Sequence, residues 1–251
     1  MSCWLKALPV TLAVAAVTIF TASCGSTGTT HVRFVNAIQD TAQYGTGLDI
    51  QISGTKEFTD VAFFGYSPTS GYTNVPSGGV LLEALETGSA TAVFSADLTL
   101  TSGSQRTLVA TGFAVNSAKV AVINAADNNT APTGNNVEFR VIDASPSGPP
   151  AVDVYILPVG SSGSLTPPAT IANLAYRSAS SYVTIPYNSN RANGANYTMF
   201  VTATGTTTPI LLTQSVSAGT SFEGAIRTLI LTDQENIDQL NPLAIVLNDL
   251  N

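Results

Sequence analysis

The sequence predicts an all-β protein, and three observations carry that expectation. Apolar residues make up 44 % of the 251 and charged residues only 10 %, so the chain can bury a substantial core rather than remain disordered. Over short runs the apolar residues alternate with polar ones, the period of a strand with one covered face. A glycine or proline (20 and 13 in all) breaks most of these runs, as turns between strands require.

In chain order, the first set of expected strands lies near 32–37, 47–52, 60–64, 70–75, 80–85, 91–100, 106–112 and 119–124. A second set follows at 137–142, 151–156, 169–174, 180–185, 196–203, 209–216, 224–231 and 243–248. The clearest pair is Val137 to Ile156 (VEFRVIDASPSGPPAVDVYI), two alternating segments around a Ser-Gly-Pro turn. One helical turn is expected at Thr232-Asp233-Gln234-Glu235, a capping-box pattern that Asn241-Pro242 would stop. Short strands at regular spacing predict two tandem immunoglobulin-like β-sandwiches, over 31–126 and 137–251. The polar stretch 127–136 (DNNTAPTGNN) is the expected linker.

The first residues carry an address. Lys6 precedes the apolar run Ala7 to Phe20, which is short for a membrane span and has the plan of a secretory signal. Thr21-Ala22-Ser23-Cys24-Gly25 resembles the lipobox of bacterial lipoproteins, with Thr21 where leucine is usual. That resemblance implies cleavage after residue 23, acylation of Cys24, and a tether over 24–30. The only other cysteine, Cys3, lies inside the signal, so no disulfide is expected. The expected location is the bacterial cell envelope, with the chain anchored to a membrane through its lipid. The net charge of −7, or −8 once Lys6 is removed, argues against nucleic acid as a partner.

The chain can also be laid on itself. VRFVNAI (Val32 to Ile38) corresponds to VEFRVIDA (Val137 to Ala144), and LDIQI (Leu48 to Ile52) to VDVYI (Val152 to Ile156). Tyr72 and Pro76 meet Tyr182 and Pro186 at an offset of 110. Arg106 to Val109 meets Arg227 to Ile230 at 121, and Val122 to Asn124 meets Val246 to Asn248 at 124. Blocks kept in one order with growing offsets predict a duplication with small loop insertions in the second copy. The block Arg140, Ala144-Ser145-Pro146 and Val152-Asp153-Val154-Tyr155 resembles the signature of the domain of unknown function 4397 family. Asp143 stands where that family often has histidine, and the first unit lacks the Ser-Pro pair. The resemblance implies a secreted or surface-anchored β-domain, often in tandem, and no assigned reaction.

No residue pattern points to catalysis. The single histidine, His31, opens the first strand, and no serine lies in a G-x-S-x-G context. Zinc would need more His or Cys ligands than the mature chain holds. Glu83 and Glu86, three apart on one strand, face opposite sides. Asp49 and Asp153, at matched positions, should point away from their own cores as structural carboxylates that accept hydrogen bonds from neighbouring turns. Calcium has two candidate segments, Asp127-Asn128-Asn129 and Asp233, Glu235, Asp238, but neither has calcium-loop spacing; the simpler readings are a solvated linker and a helix N-terminus. No metal or cofactor is therefore assigned. Tyr72 and Tyr182 suggest a shared corner role with the hydroxyl bonded to backbone. The expected function is a non-enzymatic binding, adhesion or spacer module with a protein or glycan partner. The alternative is a carbohydrate-binding module using Tyr176, Tyr182 and Tyr187 of the second unit, with Tyr66 and Tyr72 as further aromatic candidates.

Overall fold

A computed structural model describes residues 28–39, 47–161, 165–190, 195–218, 224–233 and 242–250. The signal segment, Cys24 and residues 234–241 lie outside them. The all-β expectation holds, with eighteen strands in four sheets among the described residues. The first half contributes β1 (Thr29–Ile38), β2 (Leu48–Ile52), β3 (Thr55–Val61), β4 (Gly65–Ser67), β5 (Thr73–Pro76), β6 (Gly78–Glu86), β7 (Ala92–Leu100), β8 (Gln105–Gly112) and β9 (Ala121–Ala126). The second contributes β10 (Asn136–Asp143), β11 (Ala151–Pro158), β12 (Ile171–Ala175), β13 (Ser178–Ala179), β14 (Val183–Pro186), β15 (Tyr197–Ala203), β16 (Ile210–Val216), β17 (Ile226–Asp233) and β18 (Pro242–Asn248). Thr232 and Asp233, expected to open a helical turn, instead end β17. A 3-10 segment, Ala114–Lys119, connects β8 to β9, where no helix was expected.

In each half a four-stranded sheet faces a five-stranded one. The first half sets β3-β2-β6-β7 against β4-β1-β8-β9, with β5 also on β1. The second sets β12-β11-β15-β16 against β13-β10-β17-β18, with β14 on β10. The third strand lies beside the second, whereas the constant-type immunoglobulin order carries it to the opposite sheet. β1 runs parallel to β8 and β10 parallel to β17, while the other pairs are antiparallel. Phe34, Leu48, Ile50, Phe58 and Leu108 belong to the first interior. Phe139, Val154, Tyr197, Met199 and Leu229 belong to the second, where Tyr197 packs edge-on to Phe139 at 5.2 Å.

A third apolar layer joins the halves. Val35, Ala37, Val109, Ile123 and Ala125 meet Ile142, Ala144, Ile230, Ile245 and Leu247. The five-stranded sheets thus cover each other with the faces their own sandwiches do not use. This explains why β1 is buried without alternation from Val32 onward. A strand covered on both faces is apolar nearly throughout, as fully buried sheets are.

Strand registers give the equivalence of the halves directly. Arg33 lies beside Thr107, and Arg140 beside Thr228. Arg106 pairs with Ala126, and Arg227 with Asn248. Arg33 is therefore the counterpart of Arg140, and Ala126 of Asn248. The alignment of Val32 with Val137 and of Asn124 with Asn248 is displaced by two residues in each case. A two-residue slip keeps every side chain on its face, so alternation alone does not resist it.

Candidate functional site

At one edge of the shared layer, Arg33 and Arg140 cross over to the opposite half. Arg33 Nη1 donates to the Asn248 carbonyl at 2.8 Å, Nε to Thr107 Oγ1 at 2.8 Å, and Nη2 to Asp249. Arg140 Nη1 donates to the Ala126 carbonyl at 2.6 Å and Nη2 to Asp127 at 2.6 Å, with Thr228 Oγ1 also within reach. Each arginine thus closes the last strand of the other half. Tyr72 and Tyr182 complete the pattern: each ring lies against its arginine, at 5.3 and 4.7 Å. Their hydroxyls donate to Asp127 at 2.9 Å and Asp249 at 2.8 Å. The shared role expected for these tyrosines is present, but the acceptors are carboxylates rather than backbone. Burial raises both phenol pKa values, and the adjacent aspartates add to this. Burial would lower the Arg33 pKa, yet Asp249 and Asp127 outweigh it and raise it.

Asp127, expected in a solvated linker, has a side chain with no solvent exposure. It is buried because the chain turns back here between two guanidinium groups. Asp127 and Asp249 each follow directly on the last strand of their half.

The opposite edge of the layer is also reciprocal. Thr111 Oγ1 donates to the Ala144 carbonyl at 2.7 Å, and Thr232 Oγ1 to that of Ala37 at 3.5 Å. β1 and β10 therefore run in the same direction, and the connections after them leave at the same end. There Arg177 donates to the Lys119 carbonyl, and Ser147 Oγ lies 3.1 Å from Gln39 Oε1. Asp143, at the end of β10, is buried and accepts from the Ser145 amide at 3.0 Å. Burial, with repulsion from Asp233, pushes its carboxyl up to about 7 against the pull of that amide. Ser145 in turn donates to Asp233 at 2.5 Å.

Asp49 and Asp153, expected to face away from their cores, do lie off the apolar interiors but are buried. Turns fold over them: Asp49 accepts from the Asp60 amide at 3.0 Å, and Asp153 from the Asn173 and Gly205 amides at 2.8 Å each. This is the structural hydrogen bonding expected of them. Glu83 and Glu86 share β6, and His31 pairs within β1 with Asn74 and Gln105. The second-half tyrosines occupy different surroundings. Tyr182 belongs to the arginine cluster, Tyr176 lies 3.3 Å from Thr111 Oγ1, and Tyr187 packs on the second interior.

Beside Arg33 a cleft of about 170 Å³ opens between the halves. Tyr66, Thr69, Ser70 and Gly71 of the first half line it, with Asn248 of the second. The sequence marks Tyr66 as an aromatic candidate but not this cleft, which depends on contacts between halves.

An all-β chain of two similar sandwiches with an internal arginine–aspartate cluster is the class defined by this architecture. The family model described as Domain of unknown function (DUF4397) matches residues 30–155, half of the chain, and the chain belongs to that family. The match spans the first half and continues into β11. No curated protein matches the chain. Nine chains among solved structures are similar. One is CBMbc (family CBM26) from Eubacterium rectale Amy13K in complex with maltoheptaose. It is 12 % identical over 87 % of this chain and 96 % of its own, with a TM-score of 0.27. So loose a superposition transfers neither ligand nor binding residues.

Proposed function

We propose that this is a non-enzymatic cell-envelope lipoprotein, anchored through Cys24, that serves as a binding, adhesion or spacer module. The observation that carries the reading is the reciprocal joining of the halves. Side by side and running in the same direction, they send the connections at 112–121, 143–151 and 175–178 from one end. The opposite end, where β1 begins, is the end that the tether reaches. A lipid at residue 24 would hold that end at the membrane and present the loops away from it. A duplicated ancestral unit accounts for the matched registers. No step of chemistry is assigned: Asp49, Asp143 and Asp153 accept from backbone amides, Asp127 and Asp249 from arginine, and Asp233 from Ser145 and the Ser147 amide.

The test is cross-linking in living cells of the tagged, anchored protein, followed by mass spectrometry of what is trapped. One recurrent protein or glycan joined to the loop end supports the module; cross-links scattered over all faces sink it. In parallel, Cys24→Ala should move the protein from the membrane to the soluble fraction. Uncleaved protein retained in membranes would overturn the anchor.

A further inference from the structure

The halves share their strand registers around the two arginines, and an insertion between matched register points lies at the cleft. From Gly65 to Thr73 the chain takes eight steps, while from its counterpart Ser178 to Val183 it takes five. The first half therefore carries three extra residues between the same two register points. Tyr66 stands where the second half has Ala179, and Asn248 where the first has Ala126. The longer loop, the aromatic ring and the amide side chain together frame an opening beside Arg33. Gly71 (φ 69°) turns the loop with no other group within 4 Å of where a Cβ would be.

The chemistry of the lining selects a ligand class. Asp249 and Asp127 already neutralise Arg33 from behind, so the cleft is polar without carrying a free positive charge. An inorganic anion would gain little there. The Thr69 and Ser70 side chains are exposed, and the Tyr66, Thr69 and Ser70 hydroxyls have no hydrogen bond among the described residues. Hydroxyls next to an aromatic ring suit a neutral polyhydroxyl ring, which offers C–H groups to the face and alternating donors and acceptors at its rim. The volume is below the several hundred Å³ of pockets for larger ligands, which limits occupancy to about one ring.

We propose that the cleft between Tyr66, the Thr69–Gly71 loop and Asn248 binds a single neutral sugar residue, free or at the end of a glycan. This rests on the binding-module reading and gives it a ligand class distinct from the second-half tyrosines. The experiment is an amide NMR titration of the full mature chain with glucose, galactose, mannose and N-acetylglucosamine, with inorganic phosphate as the charged control. Shifts confined to 65–72 and 248 with at least one sugar, and none with phosphate, are expected. They should be lost in Thr69→Val/Ser70→Ala, whose exposed side chains make no internal bonds, and in Tyr66→Ala, which copies the second half. Repeating the titration with a purified surface glycan and its free terminal monosaccharide separates the two sources. Phosphate shifts at these residues without sugar shifts, or sugar shifts only elsewhere, would overturn the site. Silence with every sugar would also overturn it. A recurrent cross-linked protein at the loop end would then leave the module itself standing.

Discussion

Asn36 and Asp143 occupy matched register positions in the two halves, and the contrast between them shows how two side chains serve one place in a sandwich. Both accept from the amide two residues ahead, Ile38 in one case and Ser145 in the other. Asn36 also donates its amide to the Val61 carbonyl at 3.0 Å. A carboxylate cannot donate, and at Asp143 burial and the nearby Asp233 favour the protonated acid, which can. The first half makes this bond through a permanent amide, whereas Asp143 offers a donor at the matched place only while protonated. Elsewhere the two halves share strand order and registers, and variants at matched positions test how far the likeness extends.

The largest effect expected is from separating the halves. A chain of 135–251 should melt cooperatively, but it would expose Ile142, Ala144, Ile230, Ile245 and Leu247. It should therefore dimerise, with Arg140 of each copy meeting the end of the last strand in the other, as seen by analytical ultracentrifugation. A folded monomer at high concentration would show that the shared layer contributes little. Absence of a cooperative transition would mean that the halves need one another to fold, and that the boundary at 127–136 is not a domain boundary.

Next come the arginines. Arg33→Met and Arg140→Met should each cost about 3–5 kcal/mol in urea unfolding, because each strands a buried carboxylate. The double variant should cost less than the sum, since both guanidinium groups neighbour Asp127. Costs below about 1 kcal/mol would mean that the aspartates are hydrated, not paired.

Asp143→Asn is the sharpest comparison. The folded acid titrates near 7 and the unfolded one near 3.8, so the folded state binds the proton more tightly. Its contribution to stability is present in acid and lost as pH rises from about 4 through about 7. Asparagine removes that loss: at pH 8 the variant should be more stable by about 2–4 kcal/mol, and its pH dependence across this window flatter. Asn36→Asp should impose the same loss on the first half. Parallel pH profiles for wild type and Asp143→Asn would refute the proton's role.

The smallest effect belongs to Lys56. It pairs with Asp49 at 2.5 Å but is about half exposed, and the second half gives Asp153 two backbone amides instead. The Asp49 pKa is lowered: burial opposes this, but Lys56 and the Asp60 amide outweigh it. Lys56→Ala should cost less than about 1 kcal/mol by thermal melting, since exposed pairs are screened. A larger loss would make this pair part of the sandwich rather than its surface.

The strands were legible because alternation and turn residues act over a few neighbours, and those signals survive without a partner sheet. β12 and β14 to β18 fall close to expectation, whereas the short β4 and β13 were not expected and β3 begins earlier, at Thr55. The arginine cluster was not legible. Counting by alternation set Arg33 opposite Glu138, two residues from its true counterpart, and nothing local penalises that shift. Asp127 reads as a linker residue because its burial comes entirely from groups distant in the chain: Arg33 and Thr107 before it, Arg140 after it in the other half. The cleft is illegible for the same reason, since its walls belong to opposite halves.

The reciprocal contact has a consequence for behaviour at low abundance. A two-fold contact between separate molecules comes apart on dilution, because partners must find each other. Here the segment after β9 leads straight into β10, and a short connection keeps the partner face at an effective concentration on the order of millimolar. Each patch is used up by the other, so the contact closes on itself and cannot propagate into fibres. A protein built this way keeps the same paired form whether a few copies are present or many.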